Sequence, residues 1–523
     1  MHLAPMEVFE WTLVLLTAAV ALTGIARRIG VPYPSLLALG GTALAFLPHA
    51  PDFRLNPELT LALFVAPVLM DTAFDTSLRD LKQTWIPVTS LVLVAVGLTT
   101  FAVAWVVHAL VPALPWAAAV TLGAIVAPPD AAAASAVLRQ LRLPHRLLTV
   151  LEGESLLNDA SALLIYRIAS VSLITGREWT SSVASAFALA IVGSVIAGYA
   201  MAHVTLFLMP RIREATSSVV IQFVFTFGTW IFADRLGLSP IVTLVVTAIT
   251  IARYAPVSTP ARLRVPTYAV WDTVVYIVNV LAFILIGLQL RPILMDLGVE
   301  QRSEYLRVAA CVLLMVVAIR IAWVMLYNAG ARWKFRRFGP GRWLRWGPPS
   351  PGAGLVVSWC GMRGIVTLAA AYALPLSFPY RDLILLCSFC VVVGTLVLQG
   401  LTLKPLILWL GLSEDDPVQR EVQSANEHLA RLALRMLDGD SSLPALLLRK
   451  ELGAMLAAHS ASTYAQHEQL RARIISEQRR ALVDLRSQGT IGDQAFHEVE
   501  ARLDLAELNA TAGDESRTSG TAW

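Results

Sequence analysis

Apolar residues run through most of this chain in long blocks, separated by short polar connections that are rich in arginine. A helix that crosses a bilayer needs roughly 20 predominantly apolar residues. Thirteen such stretches can be drawn, at about 7–26, 34–48, 59–78, 85–109, 115–138, 146–170, 182–209, 216–234, 238–252, 271–290, 306–330, 353–374 and 383–404. The second and ninth are short. After about Gly411 the pattern changes to charged sequence with helical spacing, as in "EHLARLALRML" and "ARIISEQRRALVDL". The pattern therefore predicts an all-α polytopic membrane protein with about 13 transmembrane helices in residues 1–411. A mostly helical tail follows in residues 412–523.

Composition agrees. Of 523 residues, 56% are apolar and only 15% charged, far from a soluble average. The charge is uneven. Residues 412–523 hold 12 Lys/Arg against 18 Asp/Glu, while residues 1–411 hold 29 against 19. Between the segments, the odd-numbered connections carry 18 Lys/Arg and the even-numbered ones six. Positive charge accumulates on the cytoplasmic side, which puts the N-terminus outside and the tail in the cytoplasm of a cell-membrane protein. Cys311, Cys360, Cys387 and Cys390 all lie in apolar stretches, so no disulfide framework is expected. The start "MHLAPMEVFE" lacks the basic region of a cleavable signal. The loop "RWKFRRFGPGRWLRW" interleaves arginine with aromatics, as interface anchors do, and is not read as a nucleic-acid patch.

Two segments are interrupted, the fifth by "APPDAAAA" and the twelfth by "CGMRGIV". Broken backbone at membrane depth is tolerated only where it lines a cavity inside the protein. The breaks are seven segments apart, so segments 1–6 and 8–13 would form two inverted six-helix repeats with the seventh as linker. Breaks at matching positions of inverted repeats point to a transport site near the bilayer midplane.

The chemistry concentrates in "LEGESLLNDASALLIYR" at 151–167. At about 100° per residue, Glu154, Ser155, Asn158 and Asp159 share one helix face, with 154 above 158 and 155 above 159. Asp71, Asp75, Asp130, Arg320 and Arg363 lie in other apolar segments. Intramembrane ionisable groups usually face the bundle interior and mark ion or proton paths. Arginine keeps its proton, so Arg363 needs a counter-ion, and Glu154 is the candidate. Asp159 is then a central carboxylate with no cationic partner. Desolvation disfavours its charged form, so it can carry a proton or a small cation, but not both. Hard cations prefer oxygen ligands. Ser155, Asp159 and Asp71 can supply them, with carbonyls freed at the break beside Pro129 and with Asp130 neutralising helix-end charge. One carboxylate exposed alternately to each side, and contested by proton and cation, has the logic of antiport.

Read together, "VLMDTAFDTSLRDLKQTW", "APPDAAAASAVLRQLRLP", "LEGESLLNDASALLIYR", "FILIGLQL" and "GMRGIVTLAAAYALP" resemble, in order, the monovalent cation/proton antiporter family that includes bacterial and animal sodium/proton exchangers. The resemblance covers about residues 10–410; "RRALVDLRSQGTIGDQAFHEVEARLDL" also resembles tails of bacterial members. It implies the thirteen-helix inverted-repeat fold, usually dimeric. It implies that Asp159 carries cation and proton beside Asn158, that Ser155 and Asp71 help bind the cation, and that Glu154 and Arg363 form a structural salt bridge. An Asn-Asp pair is similar to members that exchange one cation for one proton without net charge. Asp71 stands where glutamate is more usual, Pro129 where threonine is common, and Asp75 where asparagine is common. The partners implied are Na⁺, K⁺ or Li⁺, protons, the lipid bilayer and a second copy of the chain, with no cofactor and no enzyme chemistry. A proton-coupled organic-ion transporter is the alternative.

The remaining polar groups have plainer readings. Asp75 and Asp80 pair with Arg79 and Lys82, Arg167 snorkels, and Asp234 and Asp272 end helices. His108 and His203 pack at interfaces. Glu152 lies about two turns below Asp159, where it can serve the cytoplasmic approach. The stretch "GDESRTSGTAW" is expected to be disordered. The tail is expected to regulate exchange or support a dimer; truncation near residue 415 that changes neither pH profile nor oligomeric state would remove that expectation.

Overall fold

The computed structural model describes residues 5–47, 57–130, 133–134, 138, 143–175, 181–258, 261–295, 297–339, 350–412 and 417–457, with scattered positions from 470 to 503. The expected disorder of 513–523, most of 131–142 and the loop residues 340–346 lie outside the described residues. Among the described residues every regular element is helical. The chain divides into two units, residues 1–138 with 146–412, and residues 139–145 with 413–523.

Among the described residues of the first unit, eight helices are long and apolar enough to cross a membrane. They include Trp85–Leu110, His145–Leu173, Leu263–Met295 and Arg381–Leu410. Their outer faces carry apolar side chains such as Leu189, Phe207 and Leu314, each more than 60% exposed. That surface suits lipid, where apolar exposure has no water to oppose it. The other apolar segments are short or divided. Tyr33–Ala45 is 13 residues long and starts on a proline. Residues 57–75 change from α to π winding at Leu61–Val65 before Ala66–Asp75 resumes. Single π turns inside helices recur at functional sites.

The two interruptions are real breaks. Trp116–Val126 ends just before the two prolines, which remove backbone donors. Pro351–Trp359 ends before "CGMRG", and Ile365–Tyr372 resumes. The broken stretches meet: Asp130 donates its backbone N–H to the carbonyl of Met362 at 2.6 Å. Glycine permits this approach, since a Cβ at Gly364 would overlap the Asp130 carboxylate. A second close approach joins Tyr33–Ala45 to Ala261–Leu288. There Gly41 faces the Ile284 carbonyl and Gly287 the Ala38 carbonyl, with no room for a side chain on either.

The second unit contains Pro417–Met436 and Leu443–Ala457. Gly439, at φ 88°, makes the turn between them. Asp440 accepts from the Ser442 N–H at 2.9 Å, and that bond holds its carboxyl below the usual carboxylate range. Arg449 reaches back to the carbonyls of Leu437 and Asp440.

Candidate ion-binding site

The 31-residue helix His145–Thr175 carries the polar face through the apolar interior. Asn158 is fully buried and Glu154 only 2% exposed, whereas Ser155 and Asp159 are half-buried. Asn158 donates from Nδ2 to the Pro129 carbonyl at 2.6 Å. It thereby ties this helix to the first break by satisfying a carbonyl that the break leaves without a helical partner.

Both buried arginines cap broken helices. Arg363, fully buried, donates from Nε to the Val126 carbonyl at 3.0 Å and from Nη2 to the Ala127 carbonyl at 3.1 Å. Those carbonyls end Trp116–Val126, where a helix carries partial negative charge. Its backbone N–H donates to Thr395 Oγ1 at 3.0 Å. Arg320 does the same at the second break, donating to the carbonyls of Ser358 at 3.2 Å and Val357 at 3.1 Å.

Here the structure corrects the expected Glu154–Arg363 bridge. Glu154 pairs with Arg320 in a two-pronged geometry, at 2.5 Å from Nη1 to Oε1 and 2.9 Å from Nη2 to Oε2. The physical reason lies in the acceptors. Carbonyls at the first break, together with that of Gly361, take the donors of Arg363. The Nη1/Nη2 edge of the Arg320 guanidinium remains for a carboxylate, the fork-to-fork match that arginine favours.

Between the first break and the polar face lies a cavity of about 60 Å³. Ser155, Asp159, Asp130 and Pro129 line it, joined by Thr72 and Asn279. A space of about 10–15 Å³ of this kind is enough to hold one water, so the cavity has room for a small ion together with a few water molecules. Asp71 is not in this wall. It lines a second cavity of about 320 Å³. Asp71 and Thr72 are successive residues on one helix, about 100° apart, so Thr72 faces the small cavity and Asp71 the large one. Thr72, Asn279 and Thr367 were missed as wall residues. The signal for Asn279 is its lone amide within "TVVYIVNVLAFILIGL".

The plainer readings divide. Arg79 pairs with Asp80 at 3.2 Å and Arg167 with Asp234 at 3.8 Å. His108 sits on Trp116 with ring centroids 4.4 Å apart and meets the Leu114 carbonyl. Asp272, expected at a helix end, lies inside Ala261–Leu288 and lines the large cavity.

Substituting Gly364 tests the meeting of the breaks. Its φ of −136° is open to any residue, so the alanine variant is strained first by contact with Asp130. Gly364→Ala is expected to keep the protein folded on gel filtration while lowering exchange at least tenfold. Unchanged exchange would mean that Asp130 need not stay where it is.

Packed apolar helices, two opposed breaks and a carboxylate in a small oxygen-lined cavity are the features of a polytopic membrane protein with an ion-sized site in its interior. The family model for the transmembrane sodium/hydrogen exchanger matches residues 15–409, and the chain belongs to that family. It is 30% identical over 530 residues, 94% of each chain, to an uncharacterized Na⁺/H⁺ exchanger of Mycobacterium tuberculosis. It is 27% identical, over 96% of this chain and 78% of the relative, to the sodium, potassium, lithium and rubidium/H⁺ antiporter of Bacillus subtilis. Its fold is similar to that of the sodium proton antiporter NhaP1 from Methanocaldococcus jannaschii, with a TM-score of 0.59 at 16% identity, covering 77% of this chain and 99% of that one.

Proposed function

We propose that the protein exchanges a monovalent cation, Na⁺ first and K⁺ or Li⁺ as alternatives, for H⁺ by alternating access. The observation that carries this is the commitment of both buried arginines to other partners. Asp159 is thus left at the cavity wall among uncharged oxygen donors and the Asp130 carboxylate. In one state Asp159 is ionised and, with Ser155, Thr72 and the Asn279 amide, surrounds a partly dehydrated cation. In the other it carries a proton, and the cavity needs no counter-ion. Because a single carboxylate changes partner, one positive charge moves each way and the cycle is electroneutral. Asp71, on the wall of the larger cavity, assists the cation on approach. The names of the family and of the relatives above support Na⁺, and the Bacillus relative's name supports a broader monovalent range.

Thirteen helices in two inverted repeats, an outside N-terminus, a cytoplasmic tail and a homodimer in the cell membrane complete the reading. The two capped breaks, one in each half of the chain, support the repeats.

Competition fixes the pH dependence. Protonated Asp159 cannot bind a cation, so the apparent affinity for Na⁺ should fall as pH falls. At saturating Na⁺ the rate should recover. Measuring exchange against Na⁺ concentration between pH 6 and 9 in proteoliposomes checks this. An apparent affinity that does not move with pH would contradict the shared carboxylate.

A further inference from the structure

The helix that carries Asp159 is gripped from behind by a residue outside the ion site. Ser161 lies two positions after Asp159, about 200° further round the helix, so it faces away from the small cavity. Its hydroxyl is 2.8 Å from the carbonyl of Val92, on a helix 69 positions away, and 2.8 Å from the Asn158 carbonyl of its own turn. Other hydroxyls of these helices turn back onto their own ladder, as Thr99 does to Ala95 and Ser170 to Arg167. Such back-bonds are ordinary. A bond that crosses to a neighbour fixes one helix against the other.

Val92 sits inside a wide turn. The helix winds as α to Thr89, as a π turn over Ser90–Ala95, and as α again from Val96. Trp323 holds the same turn from another side, donating from Nε1 to Ser90 Oγ at 3.2 Å. Trp323 stands one turn after Arg320, which grips Glu154. Apolar packing backs these bonds. Leu91 and Ala95 pack with Val150 of the site helix and with Val324. Val96 packs with Ala162 and with Ala127 at the first break. Three contacts thus close a ring: Glu154 with Arg320, Trp323 with Ser90, and Val92 with Ser161.

The ring controls rotation. Ser161 follows Glu154 by seven positions, two turns, so the two share a helix face and bracket Asp159 along the axis. A group about 5 Å from the axis moves by about 1.3 Å when the helix turns by about 15°. A binding constellation must be held to within about 0.5 Å and 10–20°. Such a rotation separates Asp159 and Ser155 from the oxygens on other helices that share the cation. Uptake of a proton by Asp159 alone does not need that convergence.

We propose that Ser161 is a positioning residue. Through it the π turn Ser90–Ala95 sets the rotation of the site helix, so that Asp159 and Ser155 converge on the cation. The proposal rests on the exchange reading above.

The test measures exchange against Na⁺ concentration for the full-length protein in proteoliposomes. Ser161→Ala is expected to raise the apparent KM for Na⁺ at least fivefold, with the maximal rate within twofold of wild type. Gel-filtration profile and thermal midpoint should stay close to wild type, since one interhelical hydroxyl bond contributes little to stability. Ser161→Thr keeps the hydroxyl and should bring KM back to within twofold. At a fixed, limiting Na⁺ concentration the weakened cation loses to the proton up to a higher pH. The acid limb of activity should therefore move to higher pH in the alanine variant and not in the threonine one. Trp323→Phe removes the N–H that holds Ser90 and should act in the same direction. The double variant should be no worse than the worse single one, because both act through one turn. An unchanged KM in Ser161→Ala would overturn the proposal. So would a parallel fall in maximal rate and thermal midpoint that threonine does not restore, or fully multiplicative effects at 161 and 323. Wild-type exchange with an unaffected alanine variant removes the clamp and leaves the ion site standing; wild-type protein without exchange removes both.

Discussion

Asp159→Asn is expected to reduce cation-dependent proton movement to the level of liposomes without protein. Asparagine keeps the size and one oxygen of the side chain, so the cavity and its neighbours stay as they are. What disappears is the charge that holds a partly dehydrated cation and the group that takes up a proton in its place. Ser155, Thr72 and the Asn279 amide remain, but neutral oxygens alone do not offset the desolvation of a cation. Folding should be unaffected, because no ion pair is broken. Protein yield, gel-filtration profile and thermal midpoint close to wild type, with exchange absent, are the expected combination. Substantial exchange in this variant would move the site away from Asp159, with Asp130 as the next carboxylate in the same cavity wall.

Glu154→Gln is expected to act on stability instead. Its carboxylate is 2% exposed and pairs with Arg320, itself 3% exposed. Arginine keeps its charge, so the substitution leaves a cation buried without its anion. Breaking a buried pair from one side costs about 3–5 kcal/mol. Thermal unfolding in detergent should show a large drop in midpoint and a lower folded yield. Removing both charges, as in the double variant Glu154→Gln with Arg320→Met, should recover part of the loss. A double-mutant cycle also decides the partner. Coupling on the order of 0.5–3 kcal/mol is expected between positions 154 and 320, as for residues in direct contact. A larger coupling between 154 and 363 would restore the pairing expected from sequence.

These two variants show what the sequence could disclose. The site helix was legible because carboxylates inside apolar sequence are rare and have few explanations. Asp159, Asn158, Ser155 and Glu154 are conspicuous for that reason, and the helix His145–Thr175 carries all four. The breaks were legible because Pro128–Pro129 and the glycines around Arg363 cannot continue a helix. Pairing was not. Glu154 had two buried arginines to choose from, and the choice rests on which broken helix offers carbonyls to which guanidinium. That is decided by chain crossings far apart in sequence, with Glu154 and Arg320 166 positions apart. The placement of Asp71 was hidden for a different reason. A one-residue rotation on the helix after the π turn at Leu61–Val65 exchanges it with Thr72, and helical spacing alone does not fix that phase. Thr72, Asn279 and Thr367 escaped notice because single hydroxyls and amides are common in membrane helices.

In the proposed exchange, one carboxylate carries cation and proton by turns. The most direct test uses the full-length protein in liposomes with an acidic interior, a trapped pH dye and the membrane potential clamped or free. Na⁺, K⁺ or Li⁺ is added outside. Interior alkalinisation that requires a cation, is the same with and without the clamp, and grows with the cation gradient is the expected result, and it names the ion. Folded protein that gives no response to any of the three cations between pH 6 and 9 would contradict the account and favour a proton-coupled carrier of organic ions.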